Sequence, residues 1–258
     1  MIGKYFVRFA SLGYLGVLLV APVGYVFYKT FEHGFAPAWA AVTTPAALHA
    51  LKVTLILAAI SVPANTIFGI LCALAIVRYR MPGAGILNAV VDLPLALSPV
   101  VVGVALLLLY GDGGWLGGHD IAFALPAMIL ATIFVSLPFV VREVVPVLRE
   151  VGTEQEQAAA TLGASAWQTF RRVTWPSIRW AVAYGVVLTS ARALGEFGAV
   201  SVVSGRIVGE TESLTLHIQE RNQSFDEVGQ YASAVVLALI AIVTLILMTR
   251  LKPKEGTQ

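Results

Sequence analysis

Long runs of apolar residues, separated by short polar segments, recur along the whole chain. A helix of about 20 mostly apolar residues crosses the roughly 30 Å hydrocarbon core of a bilayer, and six stretches reach that length. The strands of an outer-membrane barrel would alternate over about ten residues, whereas 100–109 and 235–247 are nearly continuous apolar runs. The pattern therefore predicts an all-α integral membrane protein with about six transmembrane helices, of which the third to fifth are interrupted. The predicted spans run approximately from Leu12 to Phe31, Leu51 to Val77, Ile86 to Tyr110, Ile121 to Leu148, Ser177 to Val203 and Ala232 to Met248.

Basic residues beside the spans predict the orientation, because Lys and Arg are retained on the cytoplasmic side. One side carries Lys4, Arg8, Arg78, Arg80, Arg142, Arg149, Arg171, Arg172, Arg250, Lys252 and Lys254, and the other Lys29, Lys52, Arg206 and Arg221. Both termini are therefore expected in the cytoplasm. The first span is followed by a small-residue motif at 38–40 that could serve as a signal cleavage site, but the apolar run is long and lies well upstream of that motif, which favours an uncleaved span.

Composition excludes several classes of protein. The chain is 58% hydrophobic and 12% charged, too apolar for a soluble domain. Its single cysteine, Cys72, lies inside the second span, so neither a disulfide framework nor a cysteine metal site is expected. The net charge is +2 and the basic residues flank spans, which argues against nucleic-acid binding. We expect no metal and no cofactor.

A polar segment of about 150–176 connects the fourth and fifth predicted spans. Thr153 and Glu156 have capping-box spacing, alanines follow, and Gly163 supplies a left-handed turn that ends helices. Ser165 and Gln168 repeat the capping pattern. The segment therefore predicts two short helices hinged at Gly163. Small side chains would allow it to dock into another protein, whereas an amphipathic helix lying on lipid headgroups would need a basic face and large apolar residues.

This segment resembles the membrane subunits of binding-protein-dependent ABC importers. Their motif has Glu-Ala-Ala, then Gly, then Ile-x-Leu-Pro, and here Gln157-Ala158-Ala159, Gly163 and 173–176 keep its spacing. Gln157, Val173 and Trp175 depart from it, with Glu156 adjacent to Gln157. The resemblance implies a type I importer architecture, in which a cytoplasmic coupling helix contacts an ATPase. The residues expected at that contact are Glu154, Glu156, Gln157, Ala158, Ala159, Leu162, Gly163 and Ala164.

Further blocks are similar to the W-type membrane subunits of sulfate/thiosulfate permeases, at 92–94, 98–101, 110–111, 163–180, 184–188, 191–200, 203–205 and 209–211. Molybdate and tungstate permease subunits share much of this pattern and stay as the alternative. The resemblance implies one permease domain over 1–258, with a core of about 48–250. It also implies a paralogous T-type membrane subunit, two cytoplasmic ATPase subunits that use ATP and Mg²⁺, and a periplasmic sulfate-binding protein. A prokaryotic cytoplasmic membrane is the expected location, and the chain itself, which has no phosphate-binding Gly-rich loop, is expected not to be an enzyme.

Polar groups inside spans are expensive and therefore mark candidate functional sites. Arg192 and Glu196 are four residues apart and can pair on one helix face. Breaks at prolines free backbone groups that must line protein or water. The candidates for a translocation pathway or gate are Asp92, Ser98, Pro99, Thr189, Ser190, Arg192, Glu196 and Phe197. The alternatives are a structural ion pair, hydroxyls bonded back to their own helix and a packed Phe197.

Two other classes of protein remain open. An intramembrane enzyme could use Asp92, Glu196 and His217 or His119, although no histidine lies within a predicted span. A self-contained channel would purify without ATPase subunits. The external loop 204–230 is either a landing surface for a delivery protein or a plain solvated loop.

Overall fold

The structure is a computed structural model that describes residues 2–79, 83–111, 113–116 and 121–251. Within these ranges, side chains are described from residue 6 to residue 247. Arg80, His119, Lys252 and Lys254 lie outside the described residues. Within them the chain is helical and contains one isolated bridge, between Phe123 and Ser204. The helices are α1 Ile2–Leu15, α2 Ala21–Phe31, α3 Phe35–Val42, α4 Pro45–Val77, α5 Ala84–Ala96, α6 Pro99–Tyr110, α7 Leu125–Ser136, α8 Pro138–Val151, α9 Glu154–Thr161, α10 Ala166–Thr169, α11 Trp175–Leu194, α12 Val200–Val203, α13 Leu214–Gln223 and α14 Glu227–Leu251.

Among the described residues, four helical stretches are long and apolar enough to cross a membrane: 6–31, 45–77, 125–151 and 227–247. A π-helical turn, Gly16–Val20, joins α1 to α2 without a break. The second stretch begins at Pro45, six residues before the predicted start, because Thr44 caps the helix by accepting the backbone N–H of Ala47. This extension brings His49 into the helix, so the expectation that no histidine lies within a span is wrong.

The third predicted span is not straight. Its two halves, α5 and α6, are bent by 111° at a break of two residues, and together they would make a fifth span. Leu97 and Ser98 are extended there, with ψ of 142° and 135°. A residue before proline is pushed towards extended backbone, so Pro99 explains the position of the bend.

The fifth predicted span, Ser177 to Val203, is wrong as a continuous helix, because α11 ends at Leu194. The chain then turns at 195–199 before the four-residue α12. In that turn, the carboxylate of Glu196 accepts the backbone N–H of Ala199 at 2.7 Å, which satisfies a donor that a continuing helix would have paired. α11 is also not one of these four stretches, and it carries two charged residues, Arg179 and Arg192, which lower its mean hydropathy.

In the part of the chain that the structure describes, the core has two hydrophobic clusters. One joins α4, α6, α7, α12 and α13, and the other joins α4, α5, α8 and α11. The second is built on close backbone approach: a Cβ added at Gly185 would lie 2.9 Å from the Cα of Val140, and one at Gly69 would lie 2.7 Å from its Cβ. Small residues promote packing of helices in lipid because they let backbones approach. Glycine therefore fixes the spacing of α4, α8 and α11.

A buried amide stabilises the break between α7 and α8. The N–H of Leu137 donates to Phe134 rather than to Ile133, and this leaves the carbonyl of Ile133 without its helical donor. Asn65 of α4, 1% exposed, donates to that carbonyl at 3.0 Å and to the hydroxyl of Ser136 at 2.8 Å. A carbonyl freed within the apolar core is thereby satisfied.

Candidate functional site

The segment between α8 and α11 folds into two short helices separated by a glycine turn, as the sequence predicts. α9 ends at Thr161, and Gly163 adopts a φ of 83°, where the absence of Cβ avoids strain. The N–H of Ala164 donates to the carbonyl of Ala159 at 3.0 Å, which is the hydrogen bond of a Schellman motif that spans six residues. α10 then continues through a π-helical turn, Phe170–Thr174, directly into α11.

The second predicted cap is confirmed and the first is wrong. Ser165 accepts the N–H of Gln168, whose side chain accepts the N–H of Ser165 in return. The hydroxyl of Thr153, by contrast, accepts no backbone N–H of α9, and instead accepts the side-chain amide of Gln157 at 3.1 Å. Glu156 does not reach back to Thr153, because it lies against other helices.

Glu156 ties α9 to the membrane helices. Its carboxylate lies 2.9 Å from Nε of Arg78, at the end of α4, and accepts the hydroxyl of Thr174 at 2.8 Å. Arg78 also donates to the carbonyls of Leu148 and Gly152, at the end of α8. The side chains of Arg78 and Glu156 are 10% and 20% exposed, so this pair is screened much less than a surface pair. We name Arg78, Glu156 and Thr174 the clamp.

The remaining surface of this segment is exposed. Leu162 is 88% and Trp167 67% exposed, which is unusual for large apolar side chains. Glu154, Gln157 and Ala158 are also exposed. A groove of about 310 Å³ lies between the two short helices, and its lining includes Ala159, Leu162, Gly163 and Ala164. The segment therefore presents a small-residue surface with an apolar tip, fixed at its base by the clamp.

Some of the predicted pathway residues lie at the bend of the third span and at the turn that it contacts. At the bend of the third span, a Cβ added at Gly198 would lie 2.8 Å from Cβ of Pro99, so the bend packs against the turn that follows α11. Ser98 is exposed on one side of this contact, and Phe197, 39% exposed, is on the other. Pro99 therefore lies against Gly198, the residue next to Phe197.

Arg192 and Glu196 form the ion pair that their spacing predicts, with Nη1 and Oε2 2.5 Å apart. The side chain of Glu196 is 1% exposed and that of Arg192 is 30% exposed. The backbone carbonyl of Glu196 also accepts the hydroxyl of Thr215 of α13 at 2.8 Å. Glu196 thus joins α11, α12 and α13, while Arg192 keeps an accessible, partly neutralised charge.

Two of the predicted hydroxyl donors are engaged locally. Thr189 donates to the carbonyl of Gly185 and Ser190 to that of Val186, each at 2.7 Å. Thr189 is fully buried. This is the back-bonded arrangement that the sequence left as the alternative, so neither hydroxyl is a free donor in this conformation.

Asp92 has a partner that the sequence did not indicate. Nε of Arg142, in α8, lies 2.9 Å from Oδ1 of Asp92, and Asn88 lies 3.4 Å from Oδ2. The pair lines a cavity of about 270 Å³ with Val141, Val145 and Pro146 among the walls. Asp92 therefore pairs away from Arg192. The sequence indicated Arg142 only as a basic residue beside a span. Two residues 50 positions apart have no regular spacing that would predict their contact.

The residues of the intramembrane-enzyme alternative are also separated. Asp92 pairs with Arg142 and Glu196 with Arg192, while His217 lies in α13 with Nδ1 3.2 Å from Oε1 of Glu212. The carboxylates are thus in different ion pairs, and the structure does not assemble these groups into one site.

Comparison with known proteins agrees with this architecture. The model of the binding-protein-dependent transport system inner membrane component family matches residues 65–256. The sulfate transport system permease protein CysW of Synechococcus elongatus is 48% identical over 254 residues, covering 96% of this chain and 89% of that protein. The sulfate transport system permease protein CysT of Escherichia coli is 38% identical over 252 residues, covering 95% and 91%.

A solved structure shares the fold. The crystal structure of the bacterial alginate ABC transporter in complex with alginate pentasaccharide-bound periplasmic protein contains a chain that superposes with a TM-score of 0.76 at 18% identity. The match covers 96% of this chain and 92% of that one. Fold and sequence lead to one conclusion: this multi-pass chain belongs to the family of binding-protein-dependent transport system inner membrane components.

Proposed function

We propose that this chain is the transmembrane permease subunit of an ATP-driven importer of sulfate or thiosulfate, and that it forms half of the translocation pathway. The similarity to the CysW protein, 48% identity over nearly the whole chain, supports sulfate over the molybdate or tungstate alternative. The chain acts without catalysing a reaction, since ATP and Mg²⁺ are used by the partner subunits.

The same comparisons support the proposed partners. Similarity to both CysW and CysT supports pairing with a paralogous T-type membrane subunit. The alginate transporter chain supports delivery of the anion by a periplasmic binding protein. Two cytoplasmic ATPase subunits complete the assembly, which lies in the cytoplasmic membrane of a prokaryote with both termini of this chain in the cytoplasm.

The observation that carries the proposal is the clamp. α9 and the turn at Gly163 expose a small-residue surface, which permits close approach of a partner protein. Glu156 connects that surface to Arg78 of α4 and to Thr174 before α11. A displacement of α9 by an ATPase is therefore transmitted to two long helices through a largely buried ion pair. We propose that closing of the ATPase dimer moves α9 and switches the membrane subunits between inward-open and outward-open states.

The anion would be held weakly on its way through. A translocating sulfate must exchange hydration for donors, yet must also leave the site. Arg192 offers an accessible guanidinium whose charge is offset by buried Glu196. Ser98 and Phe197 flank the adjoining bend, where Phe197 would act as the gate. Charged residues in a span generally face the interior of the helix bundle or a water-filled cavity. This supports a position of the Asp92–Arg142 pair beside such a cavity.

The substrate is tested by uptake of radiolabelled sulfate in cells that lack their own sulfate permease and express the complete assembly. Excess thiosulfate is expected to compete, whereas excess molybdate is expected to compete weakly. Uptake of molybdate with no uptake of sulfate would contradict sulfate as the substrate, but it would not contradict the proposal that the chain belongs to an ATP-driven importer.

The coupling surface is tested by cysteine crosslinking. Cys72 is the chain's only cysteine and is buried, so Cys72→Ser provides a clean background. Leu162→Cys is expected to crosslink to an ATPase subunit. Phe225→Cys, at a 91% exposed position before α14, is the matched control and is expected to crosslink to none. Labelling of Leu162→Cys by a membrane-impermeant reagent added outside intact cells would contradict the orientation.

A further inference from the structure

Three metal-ligating side chains that belong to neither the predicted pathway nor the clamp converge at α13. Glu212, His217 and Glu220 each place one ligand atom within 4.8 Å of the other two. His217 and Glu220 are three residues apart and so share one face of the helix. Glu212 precedes the N-cap, Ser213. Three ligands thus come from nine consecutive residues, a local arrangement that needs no distant element to complete it.

The burial of this cluster is not explained by the contacts it makes. Glu212 and His217 are each 2% exposed. Oε1 of Glu212 lies 3.2 Å from Nδ1 of His217, whereas Oε2 is buried without a hydrogen-bond partner. A buried carboxylate that is not fully paired is strongly unfavourable, and buried charges are normally paired or bound to a metal. The free oxygen of Glu212 therefore indicates a missing positive partner.

The segment before α13 is held rigidly, so the cluster is not formed by a mobile loop. Ser204 donates to the carbonyl of Thr211. The hydroxyl of Thr54 in α4 accepts the N–H of Leu214 at 2.8 Å.

Glu220 is oriented by Arg221, whose Nε lies 2.8 Å from Oε2 of Glu220. Because Arg221 also faces Asp226 at 3.6 Å, its charge is shared between two carboxylates.

We propose that Glu212, His217 and Glu220 bind one divalent transition-metal ion of the Zn²⁺ class. One imidazole with two carboxylates suits such an ion better than Mg²⁺ or Ca²⁺, which prefer oxygen ligands alone. Tetrahedral ligands at about 2.0–2.2 Å from Zn²⁺ lie roughly 3.4 Å apart. The Glu212–His217 distance of 3.2 Å is already close to this, and the ligand atom of Glu220, which lies within 4.8 Å of the other two, would move closer by a change of rotamer on binding. Water supplies the fourth ligand.

The experiment uses the full chain, purified in detergent, treated with a chelator and titrated with Zn²⁺ alone in a calorimeter. The expected result is one equivalent per chain. Glu212→Gln and His217→Gln are expected to weaken binding more than tenfold, since losing even an outer-shell partner of a ligand costs about 10- to 100-fold. His33→Gln and Glu210→Gln are the matched controls, because both residues are exposed and are predicted to lie on the same side of the membrane as the cluster. Both variants are expected to bind Zn²⁺ like the unaltered chain.

Because the two ligands are buried, their substitutions could unfold the chain, so a second measurement uses the unaltered protein. X-ray absorption at the zinc edge is expected to show one imidazole among oxygen ligands. A zinc shell without imidazole, or no stoichiometric binding, would overturn the proposal and leave Glu212 and His217 as a simple buried ion pair. Metal binding is measured without ATPase or sulfate, so its failure is distinct from a failure of the proposed transport function.

Discussion

Replacing Glu156 by glutamine removes the charge of the clamp while keeping its size and one acceptor oxygen. Glu156 contacts Arg78 at 2.9 Å and accepts from Thr174 at 2.8 Å. Hydrogen bonds to charged groups contribute about 1.5–3 kcal/mol and neutral ones about 0.5–1.5 kcal/mol. Arg78 keeps its bonds to the carbonyls of Leu148 and Gly152, so the loss stays below the roughly 3–5 kcal/mol of a fully buried charge left alone. We expect destabilisation of about 1–2 kcal/mol.

The stability assay is equilibrium unfolding of the purified chain in mixed micelles with increasing SDS, followed by helicity. The matched control is Glu154→Gln, which removes the same charge from an exposed position of the same helix and should change stability by less than about 0.5 kcal/mol. A double-mutant cycle with Arg78→Gln isolates the pair, and a coupling of about 1 kcal/mol is expected.

The functional assay is ATP hydrolysis by the complete assembly in proteoliposomes, with and without sulfate and its binding protein. Glu156→Gln is expected to reduce the stimulated rate and to leave the basal rate unchanged, because the clamp transmits motion and does not touch nucleotide. If Glu156→Gln kept both the stability and the sulfate-stimulated rate of the unaltered chain, the clamp would not be the connection between α9 and the membrane helices.

Three further predictions concern the hinge, the helix spacing and the second ion pair. Gly163→Val strains a residue at φ 83° by about 1–2 kcal/mol, and we expect sulfate-stimulated ATP hydrolysis to be lost. Gly185→Ala places a Cβ 2.9 Å from Cα of Val140, and overpacking should cost about 1–3 kcal/mol in SDS unfolding. Asp92→Asn leaves the Arg142 charge unpaired, so sulfate uptake should fall several-fold and be restored in part by adding Arg142→Gln.

Each of these three predictions can be contradicted by one measured outcome. For the hinge, stimulation that survives Gly163→Val would remove the turn from the mechanism. For the helix spacing, Gly195→Ala meets only a carbonyl at 3.5 Å, and so should be neutral; equal losses in both alanine variants would refute the packing argument. For the ion pair, a double variant no better than Asp92→Asn would mean that the carboxylate acts without Arg142.

Local features of the fold were predictable from the sequence. The apolar runs predicted the long helices, because burial in lipid or in a core depends on composition within a short window. The turn at Gly163 and the cap at Ser165 were also predictable, since each is formed by residues within four positions of one another. The Arg192–Glu196 pair follows for the same reason, from i,i+4 spacing on α11.

Contacts between distant parts of the chain were decided only by the tertiary structure. Glu156 had the spacing of a cap, yet the fold placed Arg78 of α4 beside it, and the partly buried ion pair took precedence over the local bond. Asp92 likewise found Arg142 across α5 and α8. The apolar pattern also continued past Leu194, where the chain turns because Glu196 is held by Ala199 and Thr215. Charge and hydrophobicity specify what a residue needs, but helix packing determines which distant group supplies it.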